Sequence, residues 1–419
     1  MKLDLLLFNR ATYSRMKAFI AHALASAQVE LNLIVSSSLL WGEFGGAIKE
    51  IEANHPGAKI TRLPIEKPTY TKQSMAKAQS MIATALSAYY VDSSPKPDVG
   101  MVIADRYETL PAAQVLASLS VPIIHVQGGE VTGNIDEKIR HAVTKLSDYH
   151  FAATDLSGKY LIQMGEDEER VFVTGCPSLD LIRTNHIRRK GGGQRKRPLI
   201  LSIFHPETEA SEEAFEQTKL VMESVIDYCE RFNGECEWYY PNPDPGRKQI
   251  VEYLDKVIKN HSFLTKAIHL PAEDFLWKLA QARLVIGNSS CLIRETSYLG
   301  TPSVLVGDRQ AIRERGWNVV EVDYDHDQIR DALLSQHDQQ NYPPNKILFG
   351  IGKSAPLMLD YLMRIAEEGF SIKGPLTYPA WPQFKEIHFG SAKQANKSIR
   401  TASKQIALSS ESGSHRAFG

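Results

Sequence analysis

The stretch VPIIHVQGGEVTGNIDEKIRH, residues 121–141, decides the fold. It starts with an apolar run of strand length, passes through glycines at positions 128, 129 and 133, and enters a helix-compatible run. A strand, a tight glycine turn and a helix, in that order, make the repeating unit of a parallel sheet covered by helices. We therefore expect an α/β fold in which the polar residues of this stretch follow a buried strand.

The same alternation of strand-length apolar runs and longer helical patterns occurs twice along the chain. In the first half the apolar runs lie at residues 3–8, 31–35, 99–104, 122–126 and 149–153, with a helical pattern at residues 13–27. In the second half they lie at residues 198–204, 237–240, 282–286 and 303–306. Two such halves predict two Rossmann-like domains that face a central cleft.

A change of composition separates the halves, and 419 residues are enough for two domains. Around residues 188–197 glycines and charges replace the periodic hydrophobic residues, which we interpret as a linker. Its six basic residues could also form a nucleic-acid patch, but a solvated linker is the simpler interpretation. The predicted domains are therefore residues 1–187 and 198–369, followed by a partly flexible extension at 370–419.

Composition and charge exclude several functional classes. Hydrophobic residues make up 43% and charged residues 23%, as in soluble globular proteins. The formal net charge of −1 provides no overall field for nucleic acid or an anionic membrane, so we expect neither as a partner. The first apolar run is too short for a signal peptide, and four cysteines without ligand spacing fit a reducing cytoplasm.

Acids and bases cluster after two apolar runs of the first half. The candidates are Asp105 and Arg106 after residues 99–104, and Gln127, Glu130, Asp136, Glu137 and Arg140 after residues 122–126. Acids at a helix start often only offset the helix dipole, and an aspartate after a strand is often a turn residue. Because two neighbouring strand ends carry such groups, we favour a shared catalytic cleft.

The turn at residues 287–295 of the second half is typical of a phosphate site. Its free backbone N–H groups and the hydroxyls of Ser289 and Ser290 suit a diphosphate, although a plain helix cap needs only one serine. Glu295 lies about one turn further on, where it can accept from ribose hydroxyls, and Arg313 supplies a nearby cation. His205, just past an apolar run, is either structural or an acid, base or phosphate partner.

Together these motifs resemble the hydrolysing UDP-N-acetylglucosamine 2-epimerases of sialic acid biosynthesis. The likeness spans roughly residues 1 to 365. The phrases that carry it are Gly128-Gly129-Glu130, Ile135-Asp136, Ile139-Arg140-His141, Thr144-Lys145-Leu146, Thr174-Gly175-Cys176-Pro177-Ser178, Pro241-Asn242-Pro243-Asp244, Gly287 to Cys291, Arg294-Glu295, Tyr342-Pro343 and Lys346-Ile347. So many phrases in the same order are far more specific than a single glycine motif.

The resemblance implies the two-domain fold of the B-type glycosyltransferases, with UDP held mainly by the C-terminal domain and the sugar facing the N-terminal one. It also implies a UDP-sugar substrate and a homodimer or homotetramer. We expect no cofactor, and no metal, because arginines and backbone dipoles can do the electrostatic work. Carried over residue by residue, it implies nucleotide contacts at Arg10 and Ala11, a substrate contact at Asn242 and a uracil-flanking loop at His269. It implies a diphosphate site at Ser289 and Ser290 and a ribose ligand at Glu295. The residues implied to be catalytic or to face the phosphates are Asp105, Arg106, Asp136, Arg140 and His205.

Two positions depart from the family pattern. The family usually has an acid two residues after the histidine of the His-x-Glu-Gly-Gly phrase, where this chain has Gln127. An amide cannot abstract a proton, so either Gln127 only positions the sugar or the reaction differs. The other departure is Thr12, at a place where the family usually has an acid.

The implied chemistry removes the sugar C2 proton, expels UDP from C1 and adds water to the resulting glycal. Asp136 is our candidate acid/base group, with Glu130 and Glu137 as alternatives, and Asp105 would orient the sugar or the water. The groups expected to stabilise the departing diphosphate are Arg106, Arg313, Ser289, Ser290 and His205.

Several alternatives stay open at the level of sequence. A glycosyltransferase can have the same architecture, because a fold does not determine a function. A non-hydrolysing 2-epimerase would return a UDP-linked isomer, and an epimerase of a related diacetamido sugar would share the motifs. A nucleotide-sugar sensor could use Gln127 to bind without turnover.

Overall fold

Two parallel sheets, each covered by helices, make up the described part of the chain. The computed structural model describes residues 1–92, 96–189, 196–208, 210–339 and 341–374. The strands of the first sheet are β1 (Lys2–Leu7), β2 (Glu30–Ser36), β3 (Lys59–Leu63), β4 (Val99–Ile103), β5 (Ile123–Val126), β6 (Tyr149–Ala152) and β7 (Val171–Val173). Those of the second sheet are β8 (Leu199–Ile203), β9 (Glu235–Tyr239), β10 (Leu264–Ala267), β11 (Leu284–Gly287), β12 (Ser303–Val306) and β13 (Val319–Val322).

Helices connect these strands on both faces of each sheet. In the first half they are α1 (Arg10–Ala25), α2 (Ala47–Asn54), α3 (Lys72–Asp92), α4 (Thr109–Ser118), α5 (Ile135–Leu146), α6 (Asp155–Gln163) and α7 (Ser178–Thr184). In the second half they are α8 (Ala214–Phe232), α9 (Arg247–Ile258), α10 (Ala272–Gln281), α11 (Glu295–Leu299), α12 (His326–Gln339) and α13 (Ser354–Glu368).

The strand order of each sheet contains a point where the winding reverses. The orders are β3-β2-β1-β4-β5-β6-β7 and β10-β9-β8-β11-β12-β13, so the reversals lie between β1 and β4 and between β8 and β11. All neighbouring pairs are parallel, including these two. Open α/β sheets bind ligands at the carboxyl ends of the strands beside such a reversal. The predicted pair of parallel-sheet α/β units is therefore confirmed.

An apolar core runs without interruption from one half of the molecule to the other. Leu5 and Val35 of the first sheet and Leu201 and Val285 of the second belong to one cluster of fully buried side chains. Side chains of α1, α7, α10 and α13 complete this cluster. Because apolar area removed from water stabilises by about 25 cal/mol per Å², the shared core holds the two sheets side by side.

The last described helix returns to the first half. Helix α13 packs beside α1, and the ring centroid of its Tyr361 lies 4.6 Å from that of Phe172 in β7. Beyond the helix, Lys373 Nζ lies 2.9 Å from Glu166, and the Lys373 backbone N–H donates to Asp148 at 2.7 Å. The end of the described chain is thus anchored to the first sheet.

Polar caps set the starts of two helices that lead into the cleft. The Asn9 side chain accepts from the Thr12 backbone N–H at 3.0 Å, and Thr12 Oγ1 accepts from the Asn9 N–H at 3.3 Å. This reciprocal box gives Thr12 a capping role at the start of α1. At the start of α5, Asn134 Oδ1 accepts from the Asp136 N–H at 3.1 Å.

The predicted domain boundaries stay predictions. Residues 190–195 of the predicted linker and 375–419 of the predicted extension lie outside the described residues. Within the described residues no helix is both long and apolar enough to cross a membrane. All four cysteines are buried and free.

Candidate functional site

Four strand ends bring polar residues to the two winding reversals. Arg10 follows β1 and Asp105 follows β4, while His205 follows β8 and Ser289 follows β11. Since β1 pairs with β4 and β8 pairs with β11, the two residues of each pair lie side by side at the carboxyl ends of neighbouring strands. These four residues define the cleft.

Two glycines allow the backbone to pass closely at this cleft. Gly287 has φ +142°, and a Cβ there would lie 2.1 Å from the carbonyl oxygen of Ile203 in the neighbouring strand. Gly129 has φ +78°, and its Cβ would lie 2.1 Å from the carbonyl oxygen of Ser157 in α6. Any side chain at these positions would force the backbone apart, so the glycines fix the turns that carry the candidate residues.

A cavity of about 180 Å³, which we name the serine pocket, collects most of the predicted substrate contacts. Of the predicted residues it is lined by Arg10, Ala11, His205, Asn242, His269, Ser289, Ser290 and Glu295. Tyr239 and Phe275 supply aromatic surface, and their rings pack edge to face with centroids 5.2 Å apart. A cavity with an aromatic wall and a few convergent polar groups is the usual form of a small-molecule site.

Arg15, which sequence reasoning missed, joins the two sides of the cleft. Its Nη1 donates to Gln127 Oε1 at 3.1 Å, and its Nη2 donates to Ser290 Oγ at 3.2 Å. Both partners are neutral, and Arg15 lines the serine pocket together with Arg10. The signal was its place on α1, since Ala11 and Arg15 are four residues apart and share one helix face.

Gln127 is held in one orientation. It has φ +63° and is buried, and its Oε1 accepts from Arg15 while its Nε2 donates to Cys176 Sγ at 3.2 Å. Cys176 in turn lies 3.0 Å from Ser178 Oγ. Both polar atoms of the amide thus have a protein partner, and its role toward the sugar stays a prediction.

Three arginines surround two buried carboxylates in what we name the ion cluster: Asp105, Glu130, Arg140, Arg294 and Arg313. Arg140 donates to Asp105 through Nε and Nη2, and Arg313 Nη2 lies 2.8 Å from Asp105 and 2.9 Å from Glu130. Arg294 Nη2 lies 2.6 Å from each carboxylate oxygen of Glu130. The cluster links the two halves of the molecule. Asp105 and Glu130 lie after strands of the first sheet, and Arg294 and Arg313 lie after strands of the second sheet.

The cluster keeps its two acids ionised. Burial alone would raise the pKa of Asp105, but Arg140 and Arg313 hold it well below its usual range. Burial likewise opposes ionisation of Glu130, but Arg294, Arg313 and Arg140 lower its pKa to about 2. Ionised carboxylates that are paired with guanidinium groups are poor proton acceptors, and the catalytic roles expected for both acids stay predictions.

Asp136 occupies a different environment, a second cavity of about 180 Å³ that we name the polar pocket. Arg106, Asp244 and Arg309 line it with Asp136. Burial raises the pKa of Asp136, and the Asp105 charge raises it further, while Arg309 and Arg106 oppose the rise. Among these acids Asp136 is the one with a raised pKa and an open cavity before it, which is what a general base requires.

Arg106 connects the polar pocket to the second half of the molecule. Its Nη1 lies 2.6 Å from Asp244 Oδ1, and its Nε lies 3.5 Å from Glu108. The Nε and Nη2 atoms are buried without a hydrogen-bond partner among the described residues. Nη2 thus has neither a hydrogen-bond nor an ion-pair partner among the described residues, and the side chain lines the polar pocket and not the serine pocket.

Glu137 and Arg313 are occupied by other parts of the protein. Glu137 Oε2 accepts from the backbone N–H groups of Thr132 at 2.7 Å and Gly133 at 2.6 Å. This acid therefore holds the loop of residues 127–134, which we name the glycine loop, in place. Arg313 is buried against Asp105, Glu130 and Gln310. Neither side chain lines the serine pocket, and a role in substrate contact or catalysis stays a prediction for both.

His205 is a neutral donor aimed at the cleft. Burial and the cations Arg309, Arg106 and Arg10 hold its pKa well below the usual value, so the ring carries no charge at neutral pH. Its Nδ1 accepts from the Asn242 backbone N–H at 3.3 Å, which assigns the ring proton to Nε2. A neutral imidazole in this tautomer can donate to an anion.

A hydrogen bond and an ion pair join the two halves at the rim of the serine pocket. His269 Nε2 lies 2.8 Å from Glu50, and Lys17 Nζ lies 2.8 Å from Glu273. Inside the pocket, Glu295 Oε2 is buried without a hydrogen-bond partner among the described residues. Glu295 therefore offers an acceptor for ligand hydroxyls.

The chain resembles several known proteins along most of its length. A family model described as UDP-N-acetylglucosamine 2-epimerase matches residues 22–363. The UDP-N,N'-diacetylbacillosamine 2-epimerase (hydrolyzing) of Legionella pneumophila is 32% identical over 359 residues, which cover 83% of this chain and 91% of that protein. The UDP-N-acetylglucosamine 2-epimerase of Neisseria meningitidis is 28% identical over 341 residues, covering 78% of this chain and 84% of that protein.

A solved structure confirms the fold. The UDP-N-acetylglucosamine 2-epimerase from Neisseria meningitidis, bound to UDP-N-acetylglucosamine, matches with a TM-score of 0.70 at 19% identity. The match covers 87% of this chain and 100% of that one. The two-domain fold similar to the B-type glycosyltransferases, which the sequence resemblance implied, is thus confirmed.

Proposed function

The chain belongs to the UDP-N-acetylglucosamine 2-epimerase family, and from this we propose that it is a hydrolysing 2-epimerase that releases UDP and N-acetylmannosamine from UDP-N-acetylglucosamine. The observation that carries the proposal is the position of Arg15, which bonds Gln127 of the glycine loop and Ser290 of the turn at residues 287–295, which we name the serine turn. In the proposed complex, this one cation would lie between the diphosphate and the sugar, beside the C1–O bond that has to break.

The serine pocket would hold the UDP part of the substrate. In this arrangement the uracil lies near His269 and the aromatic surface of Phe275, and the free acceptor of Glu295 receives a ribose hydroxyl. The diphosphate would then meet Ser289, Ser290 and the guanidinium group of Arg15. Burial lowers the pKa of Arg15, and Arg294 lowers it further, so a bound anion would stabilise the charged guanidinium group.

The sugar would extend from the serine pocket toward Asp136. The two cavities adjoin at consecutive residues, since His205 lines the serine pocket and Pro206 lines the polar pocket. The proposed base is Asp136, whose raised pKa makes its ionised form a stronger base toward the weakly acidic C2 hydrogen. Asp105 and Gln127 would orient the sugar through the arginines they bind.

The proposed reaction has two steps. First, Asp136 takes the C2 proton, the C2–H electron pair forms a C1=C2 bond, and the C1–O bond breaks with its electrons leaving on UDP. Water then adds across C1=C2, with hydroxyl on C1 and a proton on the opposite face of C2. The sum consumes one water and yields UDP and the free sugar inverted at C2.

Stabilisation of the departing UDP is the main electrostatic task. Arg10 and Arg15 provide positive charge beside the serine turn, and His205 can donate from Nε2 without giving up its proton. Contacts at the rim, such as the ion pair of Lys17 with Glu273, would keep the cleft closed and exclude bulk water during elimination.

A second candidate substrate is a UDP-linked diacetamido sugar. The observation that favours it is the 32% identity to the Legionella pneumophila enzyme named for UDP-N,N'-diacetylbacillosamine. The two substrates differ in whether the sugar carries a second acetamido group. Equal molar amounts of both in one reaction, followed by product quantification, would rank them by kcat/KM.

Incubation of the purified protein with UDP-N-acetylglucosamine alone tests the function. We expect UDP and free N-acetylmannosamine in equal amounts. A glycosyltransferase would release little UDP without an acceptor, a non-hydrolysing epimerase would return the UDP-linked isomer, and a sensor would bind without forming UDP. Each of those three results would contradict the proposal.

The proposal also includes a cytoplasmic homodimer or homotetramer that acts in sialic acid biosynthesis. Light scattering coupled to size-exclusion chromatography tests the assembly directly. A protein that is monomeric under the conditions of the activity assay and still forms UDP would contradict the proposed assembly but not the proposed reaction.

A further inference from the structure

A third cavity, of about 700 Å³, lies outside the site described above. We name it the basic pocket, and four of its lining residues are cationic or can become so: Arg183, His186, Arg188 and Lys346. None of the described residues that line it is an aspartate or glutamate. The pocket plays no part in the proposed epimerase reaction.

Three cations of the basic pocket lack an ion-pair partner among the described residues, and the nearby carboxylate of Asp180 accepts instead from the backbone N–H groups of Ser354 and Ala355. Arg183, Arg188 and Lys346 have no carboxylate within ion-pair distance among the described residues, whereas Arg140, Arg294 and Arg313 are all paired. Two of these unpaired cations lie close together. Lys346 Nζ is 5.9 Å from the centre of the Tyr298 ring, and burial raises the pKa of Tyr298 while the nearby Arg183 charge offsets part of that rise.

The shape of the pocket strengthens the field of these cations. Ile182, Ile187 and Leu299 are buried and provide an apolar floor. Charges of one sign in a concavity with low-dielectric walls attract counter-ions more strongly than the same charges on a flat surface. Arg183 lies in the last turn of α7, where one cation ordinarily offsets the helix dipole. Arg188 and Lys346 lie outside any helix and have no such role.

The basic pocket and the serine pocket share two short helices. On α7, Leu181 lines the serine pocket and the next residue, Ile182, lines the basic pocket. On α11, Glu295 lines the serine pocket and Leu299, at the other end of the helix, lines the basic pocket. A displacement of either helix would therefore alter both cavities.

We propose that the basic pocket binds a small anion that carries phosphate or carboxylate groups, and that this anion changes the affinity of the serine pocket for its nucleotide. The unpaired cations supply the attraction, and α7 and α11 supply the mechanical connection. Since binding free energies are reciprocal, nucleotide binding must change the anion affinity by the same factor. The binding site itself does not depend on the epimerase chemistry.

Calorimetric titration of the full chain with inorganic pyrophosphate and, separately, with citrate tests the binding site. Each titration is run with and without saturating UDP, which occupies the serine pocket. We expect at least one of the two anions to bind, and the double variant Arg183→Gln/Lys346→Gln to weaken it at least tenfold under both conditions. Stronger binding of pyrophosphate would identify a phosphate ligand, and stronger binding of citrate a carboxylate.

A matched control removes the same number of charges elsewhere. Lys248→Gln/Lys256→Gln changes two exposed lysines of α9 and should leave anion binding unchanged. Equal affinity in the wild type and the Arg183→Gln/Lys346→Gln variant, or no binding of either anion to the wild type, would overturn the site. These results would leave the epimerase proposal standing, because UDP release is measured without either anion.

The coupling is tested by the UDP affinity at increasing concentrations of the bound anion. An anion that competes with UDP inside the serine pocket would do so in the Arg183→Gln/Lys346→Gln variant as well. Only a change of UDP affinity that this variant abolishes is therefore caused by binding in the basic pocket. We expect at least a threefold change of the UDP Kd in the wild type that is lost in the variant. The same change in both proteins would overturn the coupling.

Discussion

Arg294 and Glu130 join the two halves of the cleft, with Arg294 Nη2 lying 2.6 Å from each oxygen of the Glu130 carboxylate. Arg294 directly precedes Glu295, the free acceptor of the serine pocket, and Glu130 directly follows Gly129 in the glycine loop. Both side chains are buried, at 1% and 8% exposure. The loop that presents the proposed catalytic residues is therefore fixed to the turn that presents the proposed diphosphate site.

Removal of Glu130's charge should destabilise the protein. Glu130→Gln leaves Arg294 and Arg313 without their full complement of negative charge in a buried site, which typically costs about 3–5 kcal/mol. The loss of stability is measured as the difference in unfolding free energy between the wild type and the variant, from urea titration at pH 7. Glu52→Gln is the control, because the Arg62–Glu52 pair is exposed and should change stability by less than about 1 kcal/mol. Equal effects of the two substitutions would contradict a buried ion cluster.

The stability contribution of Glu130 has a defined pH window. Its pKa is lowered from 4.5 to about 2 in the folded protein, so the contribution is fully present above pH 4.5 and is lost as the pH falls toward 2. The difference in unfolding free energy between wild type and Glu130→Gln should therefore shrink between pH 4.5 and 2. A difference that does not depend on pH would argue against the assigned ionisation.

Two neighbouring acids should differ in their effect on turnover. Asp136→Asn should abolish UDP release and leave UDP binding intact, because it removes the proposed base but no nucleotide contact. Glu137→Gln should keep most of the turnover, since Glu137 bonds the Thr132 and Gly133 amides. Steady-state UDP release, with UDP affinity by calorimetry, measures both. Retained turnover in Asp136→Asn would remove this residue from the chemistry.

The pH profile of the wild type should report the same base. A general base works in its ionised form, so kcat/KM should fall as the pH drops through the pKa of Asp136, which lies above its ordinary value of 3.8. The acid limb of the profile, measured from UDP release, locates that pKa. We expect the same acid limb in the Glu137→Gln variant. A wild-type acid limb with its midpoint at or below pH 3.8 would contradict the assignment of a buried Asp136 as the base.

Arg15 should dominate nucleotide affinity among the residues of α1. Arg15→Gln removes a charged donor to Ser290, and the loss of a charged hydrogen bond costs about 1.5–3 kcal/mol, or roughly 10- to 150-fold in the Kd for UDP. Ser290→Ala removes a neutral partner and should cost less. Calorimetry measures both, with Arg62→Gln as an exposed control for the same change. An unaltered Kd in Arg15→Gln would refute its place at the diphosphate.

Gly287 should tolerate no side chain. Gly287→Ala introduces a Cβ 2.1 Å from the Ile203 carbonyl oxygen, so β8 and β11 must separate, at a cost of about 3 kcal/mol or more. Gly42→Ala is the matched control, because a Cβ there has no atom within 4 Å. Thermal unfolding measures both variants. Equal melting temperatures would mean that the serine turn has room to adjust.

The central strands could be predicted from the sequence, and the edge strands could not. The predicted apolar runs correspond to strands that have neighbours on both sides. The four strands that sequence reasoning missed are β3, β7, β10 and β13, which are the four edges of the two sheets. An edge strand is partly exposed, so its residues alternate irregularly between polar and apolar, as in Lys59–Leu63 and Leu264–Ala267.

The individual residues of the site could be predicted from the sequence better than the hydrogen bonds and ion pairs that they form with distant residues. Residues such as Ser289 and Asp136 stand in local motifs, and glycines and helix starts mark them in the sequence. Arg15 and Asp244 act through partners 275 and 138 residues away in the chain, Ser290 and Arg106 respectively. No local pattern carries such pairings. The sequence favoured Asp136 over Glu137, but only the folded protein gives their different surroundings: Asp136 lines the polar pocket, and Glu137 accepts from the Thr132 and Gly133 amides.

The fate of the C2 hydrogen tests the central claim most directly. Nuclear magnetic resonance of a reaction with UDP-N-acetylglucosamine in D₂O should detect UDP and free N-acetylmannosamine that carries deuterium at C2, because the proton leaves on Asp136 and the new one comes from solvent. A free sugar that retains its original C2 hydrogen, or a nucleotide sugar that remains unchanged, would contradict the account.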